Sequence, residues 1–315
     1  MRVLLSVRNL ERYFNTSHGV LHAVENVSFD MEERTTLGIV GESGCGKSTL
    51  GRTILGLIEP TDGDIYFEGK NISKLSASER LPYRRQMQIV FQDPYSSLDP
   101  RMSVHDLIAE PLSIAGIDKN SADRVAHVRK LMDTVGLATR FEHAYPHELD
   151  GGRRQRIGIA RALALTPKFI VCDEPVSALD MSIQAQILNL LQDLQENLGL
   201  TYVFITHDLA VVKHISDRIL IMYMGSVVEQ APVDELFKHP LHPYTHGLFA
   251  AIPVPRLRER PQRFILKGEV SKPDGKPGCK FAPRCPKASV ECFSITPELR
   301  EMGENHMLAC HHAER

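Results

Sequence analysis

The sequence predicts an α/β fold: a mixed sheet core, an antiparallel β flank, an inserted helical subdomain and a C-terminal cysteine-bearing extension. Three observations predict it. An apolar run, Thr36-Leu37-Gly38-Ile39-Val40, leads through a glycine-rich turn into Leu50 to Leu57, which has helical spacing. A second run, Phe169-Ile170-Val171-Cys172, is short and unbroken, as strands buried on both faces are. Two more apolar runs, Tyr202-Val203-Phe204-Ile205 and Ile219-Leu220-Ile221-Met222, are again strands.

Taken in order, residues 3 to 31 alternate apolar and polar, which predicts antiparallel sheet. After the first helix, Thr61-Asp62-Gly63-Asp64 is a turn, Ile65-Tyr66-Phe67 a strand, and Met87-Gln88-Ile89-Val90-Phe91 a further strand ending at Gln92. Val104 to Ala115 and Ala122 to Val135 have helical spacing with little β signal, so residues 93 to 165 are expected to be a helical insertion. Arg154 to Leu165 closes it as a basic amphipathic helix. Ile183 to Leu198 is a helix with an apolar stripe of Ile187, Leu188, Leu191 and Leu194. From about Pro240 the composition shifts to Pro, His and Cys. The division is 1–250 as main domain and 251–315 as extension.

Composition narrows the class. With 43% hydrophobic and 24% charged residues the chain is an ordinary globular one, and a net charge of −2 does not favour a nucleic-acid partner. No apolar run has the length of a membrane span. Met1 to Leu5 is too short for a signal peptide, so a cytosolic protein is expected, docked on a membrane protein if it meets a membrane at all.

The chemistry starts at Gly41-Glu42-Ser43-Gly44-Cys45-Gly46-Lys47-Ser48-Thr49. The spacing G-x-x-x-x-G-K-[ST] between strand and helix is the P-loop: backbone N–H groups and the helix N-terminus cradle an anion, Lys47 reaches the outer phosphates and Ser48 can ligand Mg²⁺. Asp173 ends a strand and can hold Mg²⁺; Glu174, one residue on, projects differently and can accept a proton from an attacking water. An acidic pair at a strand end is also common on plain surfaces, and a lone histidine is more often structural than catalytic. Gln92 and His207 nevertheless end strands at the same expected sheet edge, where a γ-phosphate and its metal would lie.

These residues resemble an ATP-binding-cassette ATPase. Gln92 resembles the Q-loop, which implies a Mg²⁺ and water contact. Asp173 and Glu174 resemble the Walker B pair, Ser177-Ala178-Leu179-Asp180 the D-loop, and His207 the switch histidine. Phe14 resembles the aromatic residue that stacks on adenine, with Tyr13 the weaker candidate. Phe91-Gln92-Asp93-Pro94-Tyr95-Ser96-Ser97-Leu98-Asp99-Pro100-Arg101 and His239-Pro240-Leu241-His242-Pro243-Tyr244-Thr245 look like the peptide-importer branch, and the whole chain is similar to the second ATPase subunit of dipeptide and oligopeptide importers. That resemblance implies ATP and Mg²⁺. It implies a second ATPase subunit as heterodimer partner, two membrane permeases, and an extracytoplasmic peptide-binding protein. The location implied is the cytoplasmic side of the inner membrane. Neighbouring branches sharing these motifs import nickel or other solutes, and an ATP-binding regulatory subunit with little turnover is a further alternative.

The sequence departs from the family at its signature. Where the family has Leu-Ser-Gly-Gly-Gln, which completes a partner's ATP site, this chain has Leu149-Asp150-Gly151-Gly152-Arg153. Aspartate is as good an N-cap as serine, so the helix should start normally. Its charge, however, would face the partner's γ-phosphate: like charges about 4 Å apart repel by roughly 4 kcal/mol at an effective dielectric of ~20. Arg153 offers partial compensation. The expectation is one competent site and one degenerate site.

Cys279, Cys285, Cys292 and Cys310 lie outside the nucleotide motifs with the spacing C-x5-C-x6-C-x17-C. This is not a zinc-ribbon pattern; four thiolates could hold Zn²⁺ or an iron–sulfur cluster, and packed free thiols are the plain alternative. Resemblance to some peptide-importer ATPases implies a [4Fe-4S] cluster.

Overall fold

The structure is a computed structural model that describes residues 2–17, 19–93, 95–117, 120–250, 277–303 and 305–312. The chain divides into two compact units. The first comprises Met1–Glu32, Thr36–Lys74 and Phe204–Arg315, the second Glu33–Thr35 and Leu75–Val203.

The first unit holds two sheets. The alternating N-terminal sequence forms a long antiparallel hairpin of Val3–Thr16 and Gly19–Glu32, extended by Asp62–Phe67 and Lys70–Asn71. Leu5, Val7, Leu10, Val27 and Phe29 fill its inner face. The second sheet is mixed. Thr36–Val40 runs parallel to Arg218–Tyr223, in the register Leu37 to Arg218 and Val40 to Ile221. Arg218–Tyr223 then pairs antiparallel with Ser226–Pro232, which carries the tail hairpin of His306–Leu308 and Arg300–Gly303 on its far side. All five residues of Thr36–Val40 are buried, as its unbroken apolar run predicts. Gly38 is required there: a Cβ would sit 2.5 Å from Ser216 Oγ and 2.6 Å from Val212 Cγ1, at the helix Leu209–Ile215 and its C-cap.

In the second unit Met87–Val90 pairs in parallel with Phe169–Asp173, Val90 opposite Cys172. Around this pair lie the helices Ala77–Gln86, Val104–Ile114, Ser121–Thr134, Gly151–Leu163 and Met181–Leu198. Their starts are written in side chains that accept a backbone N–H: Ser76 from Glu79, Ser103 from Asp106, Asn120 from Ala122 and Asp150 from Arg153. Met181–Leu198 buries Ile187, Leu188, Leu191 and Leu194, the predicted stripe, and stops at Gly199 in a left-handed conformation (φ +67°). The basic helix begins at Gly151, three residues before its predicted start, because Asp150 caps it. Helix Ala77–Gln86 was not predicted, although Ser76 and Glu79 form a capping box. Among the described residues no helix is long and apolar enough to cross a membrane.

Candidate functional site: a phosphate loop and a strand-end carboxylate pair

In the first unit, Thr36–Val40 delivers the chain directly into the loop Gly41 to Gly46, and a helix, Lys47–Ile54, begins immediately after it. The glycines answer backbone crowding. A Cβ on Gly41 would meet Met222 O at 2.2 Å, and one on Gly46 would meet Ala23 O at 2.0 Å. Gly44 and Gly46 take φ values of +78° and +105°, which favour glycine. The helix has no side-chain N-cap bond at Gly46, and a helix N-terminus favours an anion. Lys47 is buried, and its Nζ donates to Gly41 O at 2.8 Å and Glu42 O at 2.9 Å, curled back over the loop. Burial raises the Cys45 thiol above its ordinary value. Ser43 and Gly44 are exposed, while Ser48 and Thr49 are half-buried.

Phe14 lies on the long hairpin, half-buried, with the Arg12 guanidinium 4.3 Å above its ring. Tyr13 instead packs on His22, ring centroids 4.0 Å apart. His207 is exposed and follows the strand Thr201–Thr206; its neighbour Asp208 caps the next helix through Ala210 N and Val211 N.

In the second unit the parallel register explains a pairing that the sequence only implies. With Val90 opposite Cys172, Gln92 and Glu174 each lie two residues further, and Gln92 Nε2 donates to Glu174 Oε2 at 2.9 Å. Asp173 is buried at the strand end. Glu174 takes φ +47°, an uncommon value for a side chain other than glycine, directly after the strand ends at Asp173. Ser177 holds the turn by donating its Oγ to Glu174 O at 3.1 Å. Asp180 is exposed and N-caps Met181–Leu198 without a side-chain bond.

The altered signature is orderly. Leu149 is buried, and Asp150 accepts from Arg153 N at 2.8 Å and also ion-pairs with the Arg153 guanidinium, which lies 4.8 Å over the Phe141 ring. A Cβ on Gly152 would meet Ile183 Cγ2 at 2.6 Å, and one on Gly151 would meet Leu179 Cδ2 at 3.1 Å. The glycines therefore let this helix approach the segment around Asp180.

The four tail cysteines are all free. Cys279 and Cys292 are tied through their backbones, Cys279 N donating to Cys292 O at 2.7 Å. Burial first, then the neighbouring thiols, push the Cys279 thiol up to about 11; burial also raises Cys285 and Cys310. Among the described residues no three His, Cys, Asp or Glu side chains gather as a metal-ligand group. The expected [4Fe-4S] or Zn²⁺ site on Cys279, Cys285, Cys292 and Cys310 thus gains no support here: the thiols are neighbours without being drawn into a cage.

A strand that opens into a glycine-shaped phosphate loop, in a chain with a second strand ending in paired carboxylates, defines the P-loop ATPase class. A family model described as ABC transporter matches residues 24–177, and one described as the oligopeptide/dipeptide transporter C-terminal region matches residues 228–292. A putative peptide import ATP-binding protein of Brucella ovis is 50% identical over 308 residues, covering 98% of this chain and 97% of its own. The oligopeptide transport ATP-binding protein OppF of Bacillus subtilis is 48% identical over 312 residues, covering 99% and 97%. Among solved structures, the ATP-binding cassette MJ0796, in a dimeric post-hydrolysis state bound to ADP and Pi, matches with a TM-score of 0.67 and 29% identity over 73% of this chain and 99% of that one. The chain belongs to the ABC transporter family, in its oligopeptide/dipeptide transporter branch, and is an ABC-type ATPase.

Proposed function

We propose that this chain hydrolyses ATP to power the import of dipeptides or oligopeptides, as one of two non-identical ATPase subunits beneath a pair of membrane permeases that an extracytoplasmic peptide-binding protein supplies. Its place is the cytoplasmic face of the membrane. The observation that carries the reading is the phosphate loop, whose glycines exclude a Cβ and whose helix N-terminus has no side-chain cap. Peptide as cargo rests on the B. ovis and B. subtilis relatives, which are named for peptide import and oligopeptide transport. The permease partner is supported by a mostly apolar groove of about 320 Å³ in the second unit, lined by Leu81, Phe91, Pro111, Ile114 and Arg161.

The roles follow from the residue chemistry. Phe14 stacks on adenine. Gly41, Glu42, Ser43, Gly44, Cys45, Gly46 and Thr49 shape the cradle, and Lys47 exchanges Gly41 O and Glu42 O for the outer phosphates. Ser48, Asp173 and Gln92 would hold Mg²⁺, which would supply charge neutralisation on the phosphate oxygens. Glu174 takes the proton of the attacking water; the amide of Gln92 aims its carboxylate beforehand. His207 orients the γ-phosphate, and Asp180 serves the D-loop. Glu174→Gln should lower the ATPase rate of the assembled transporter by about 10²-fold or more while nucleotide still binds. An unchanged rate would remove Glu174 from the reaction.

Leu149, Asp150, Gly151, Gly152 and Arg153 face the partner's nucleotide in this reading, and the charge of Asp150 makes that site the weaker one. A regulatory subunit with little turnover is the second reading, favoured by Asp150 alone; single-turnover hydrolysis with and without the second ATPase subunit separates the two. A [4Fe-4S] or Zn²⁺ site on the tail rests on the family resemblance alone, since among the described residues no metal-ligand group forms. Iron and zinc content of anaerobically purified protein tests it, with absorbance near ~400 nm expected for the cluster.

A further inference from the structure

The cysteine-bearing tail and the His239 to Thr245 motif have no part in the chemistry above, yet both reach into the phosphate loop. They meet at Glu42. Arg284, in the tail's Ala282–Arg284 turn and one residue before Cys285, grips that carboxylate with both arms: Nη1 to Oε2 at 2.8 Å and Nη2 to Oε1 at 3.1 Å, across 242 residues of chain. The Arg284 side chain is only 9% exposed. From the other motif, Tyr244 Oη accepts the Glu42 N–H at 2.9 Å. The Glu42 carbonyl accepts from Lys47 Nζ at 2.9 Å. Every polar group of Glu42 is therefore engaged, two of them by residues far along the chain.

The grip is backed by packing. Tyr223 meets Tyr244 edge-on at 4.7 Å and Phe281 at 5.3 Å, and all three rings are buried. Arg284 Nη1 also donates to Tyr223 Oη at 3.3 Å. A second tie runs beside it. Lys280, next to Cys279, donates to Met224 O and Ser226 Oγ, each at 2.8 Å, and ion-pairs with Glu25. Between those two anchors, Gly225 N donates to Cys45 O at 2.8 Å, in the middle of the loop.

We propose that the C-terminal tail is a positioning element for the phosphate loop, acting through Arg284 on Glu42. The inference rests on the reading that this loop binds ATP. Glu42 is an anion in a loop that must receive a more strongly charged anion. Left alone, its carboxylate repels the phosphates and swings with the loop. Paired with a buried guanidinium, it is neutralised and fixed, and so is the carbonyl on which Lys47 rests. Nucleotide affinity is thereby tied to a tail some 240 residues downstream.

The test is equilibrium binding of MgATP to the full-length chain, with hydrolysis measured in the assembled transporter. Wild-type chain that binds no MgATP refutes the phosphate-loop reading itself. If it binds, Arg284→Ala should weaken affinity about tenfold and raise KM for ATP alike, with the rate at saturating ATP within about twofold. Arg284→Lys should recover part of the loss. In a Glu42→Gln background, where no carboxylate needs neutralising, Arg284→Ala should change affinity by less than about twofold. Should Arg284→Ala not fold, Arg284→Gln replaces it, keeping a packed stem without the charge. Unchanged affinity in a folded variant overturns the proposal. So does a loss that persists undiminished with Gln at position 42, or a chain that folds with neither substitution, since Arg284 is then a core residue and nothing more.

Discussion

Glu42 in the first unit and Asp150 in the second are acidic side chains in two motifs proposed to serve a triphosphate, and an arginine answers each. The answers differ in kind. Arg284 reaches Glu42 from 242 residues away, and its side chain is 9% exposed. Arg153 lies one helical turn from Asp150, with side chains 42% and 55% exposed. The first pair is bonded to Tyr223 and Tyr244, whose rings pack together and against Phe281; the second has the Phe141 ring beneath its guanidinium. Exposed pairs contribute about 0.2–1 kcal/mol, so the Arg153 pair can open when another anion approaches. One arginine is committed to its carboxylate and the other is exchangeable. Long-range neutralisation fixes a loop, whereas local neutralisation leaves a helix start adjustable.

The sharpest way to break this contrast uses glycine. Gly46→Ala places a Cβ 2.0 Å from the backbone oxygen of Ala23 at φ +105°, where nothing can yield. We expect a loss of roughly 10²-fold or more in MgATP affinity, equivalent to about 3 kcal/mol, read by equilibrium binding.

A second effect, of similar size at its limit, follows from acid. Tyr244, which holds the Glu42 N–H, is itself fixed by its N–H to His242 Nδ1 at 3.0 Å. That bond needs a neutral imidazole, and burial lowers His242 to about 4 despite the raising influence of Glu229, with His246 lowering it further. An unfolded histidine titrates near ~6.5 and so binds its proton first as pH falls. The stabilisation is whole above that pH and is lost progressively toward about 4, by up to about 3 kcal/mol. Denaturation midpoints between pH 7 and 4 should fall, and less steeply in His242→Gln.

Arg153→Ala leaves Asp150 uncompensated and should lower the ATPase rate of the assembled pair a few-fold, most at low salt. Gly151→Ala is the mildest. Its Cβ meets only the end of the Leu179 side chain at 3.1 Å, so unfolding should shift by no more than about 1 kcal/mol.

What the sequence disclosed follows the same line between local and distant. The phosphate loop, the stripe of Met181–Leu198 and the strand Thr36–Val40 are dictated by neighbours in the chain, and each was legible. The Gln92–Glu174 bond was half legible: both residues end strands, but the register joining them is a property of the sheet. Helix Ala77–Gln86 was missed despite the capping box of Ser76 and Glu79, because Pro82 and its charged residues blunt the apolar period. The role of Arg284 left no local trace. The same holds for Glu229, a buried carboxylate that accepts from Leu241 N, His242 N and Thr245 Oγ1 and pairs with His306. The spacing of the four tail cysteines left metal, cluster and packed free thiols open; the cluster was implied by resemblance alone, and among the described residues no metal-ligand group forms.

In the proposed two-ATPase assembly the charge of Asp150 burdens the partner's nucleotide. The direct measurement is the ATPase rate at saturating ATP of the assembled two-ATPase transporter, wild type against Asp150→Ser. Serine preserves the helix cap and removes the charge, so the rate should rise several-fold while thermal stability holds within about 1 kcal/mol. An equal rate and equal nucleotide affinity in the two proteins would contradict it.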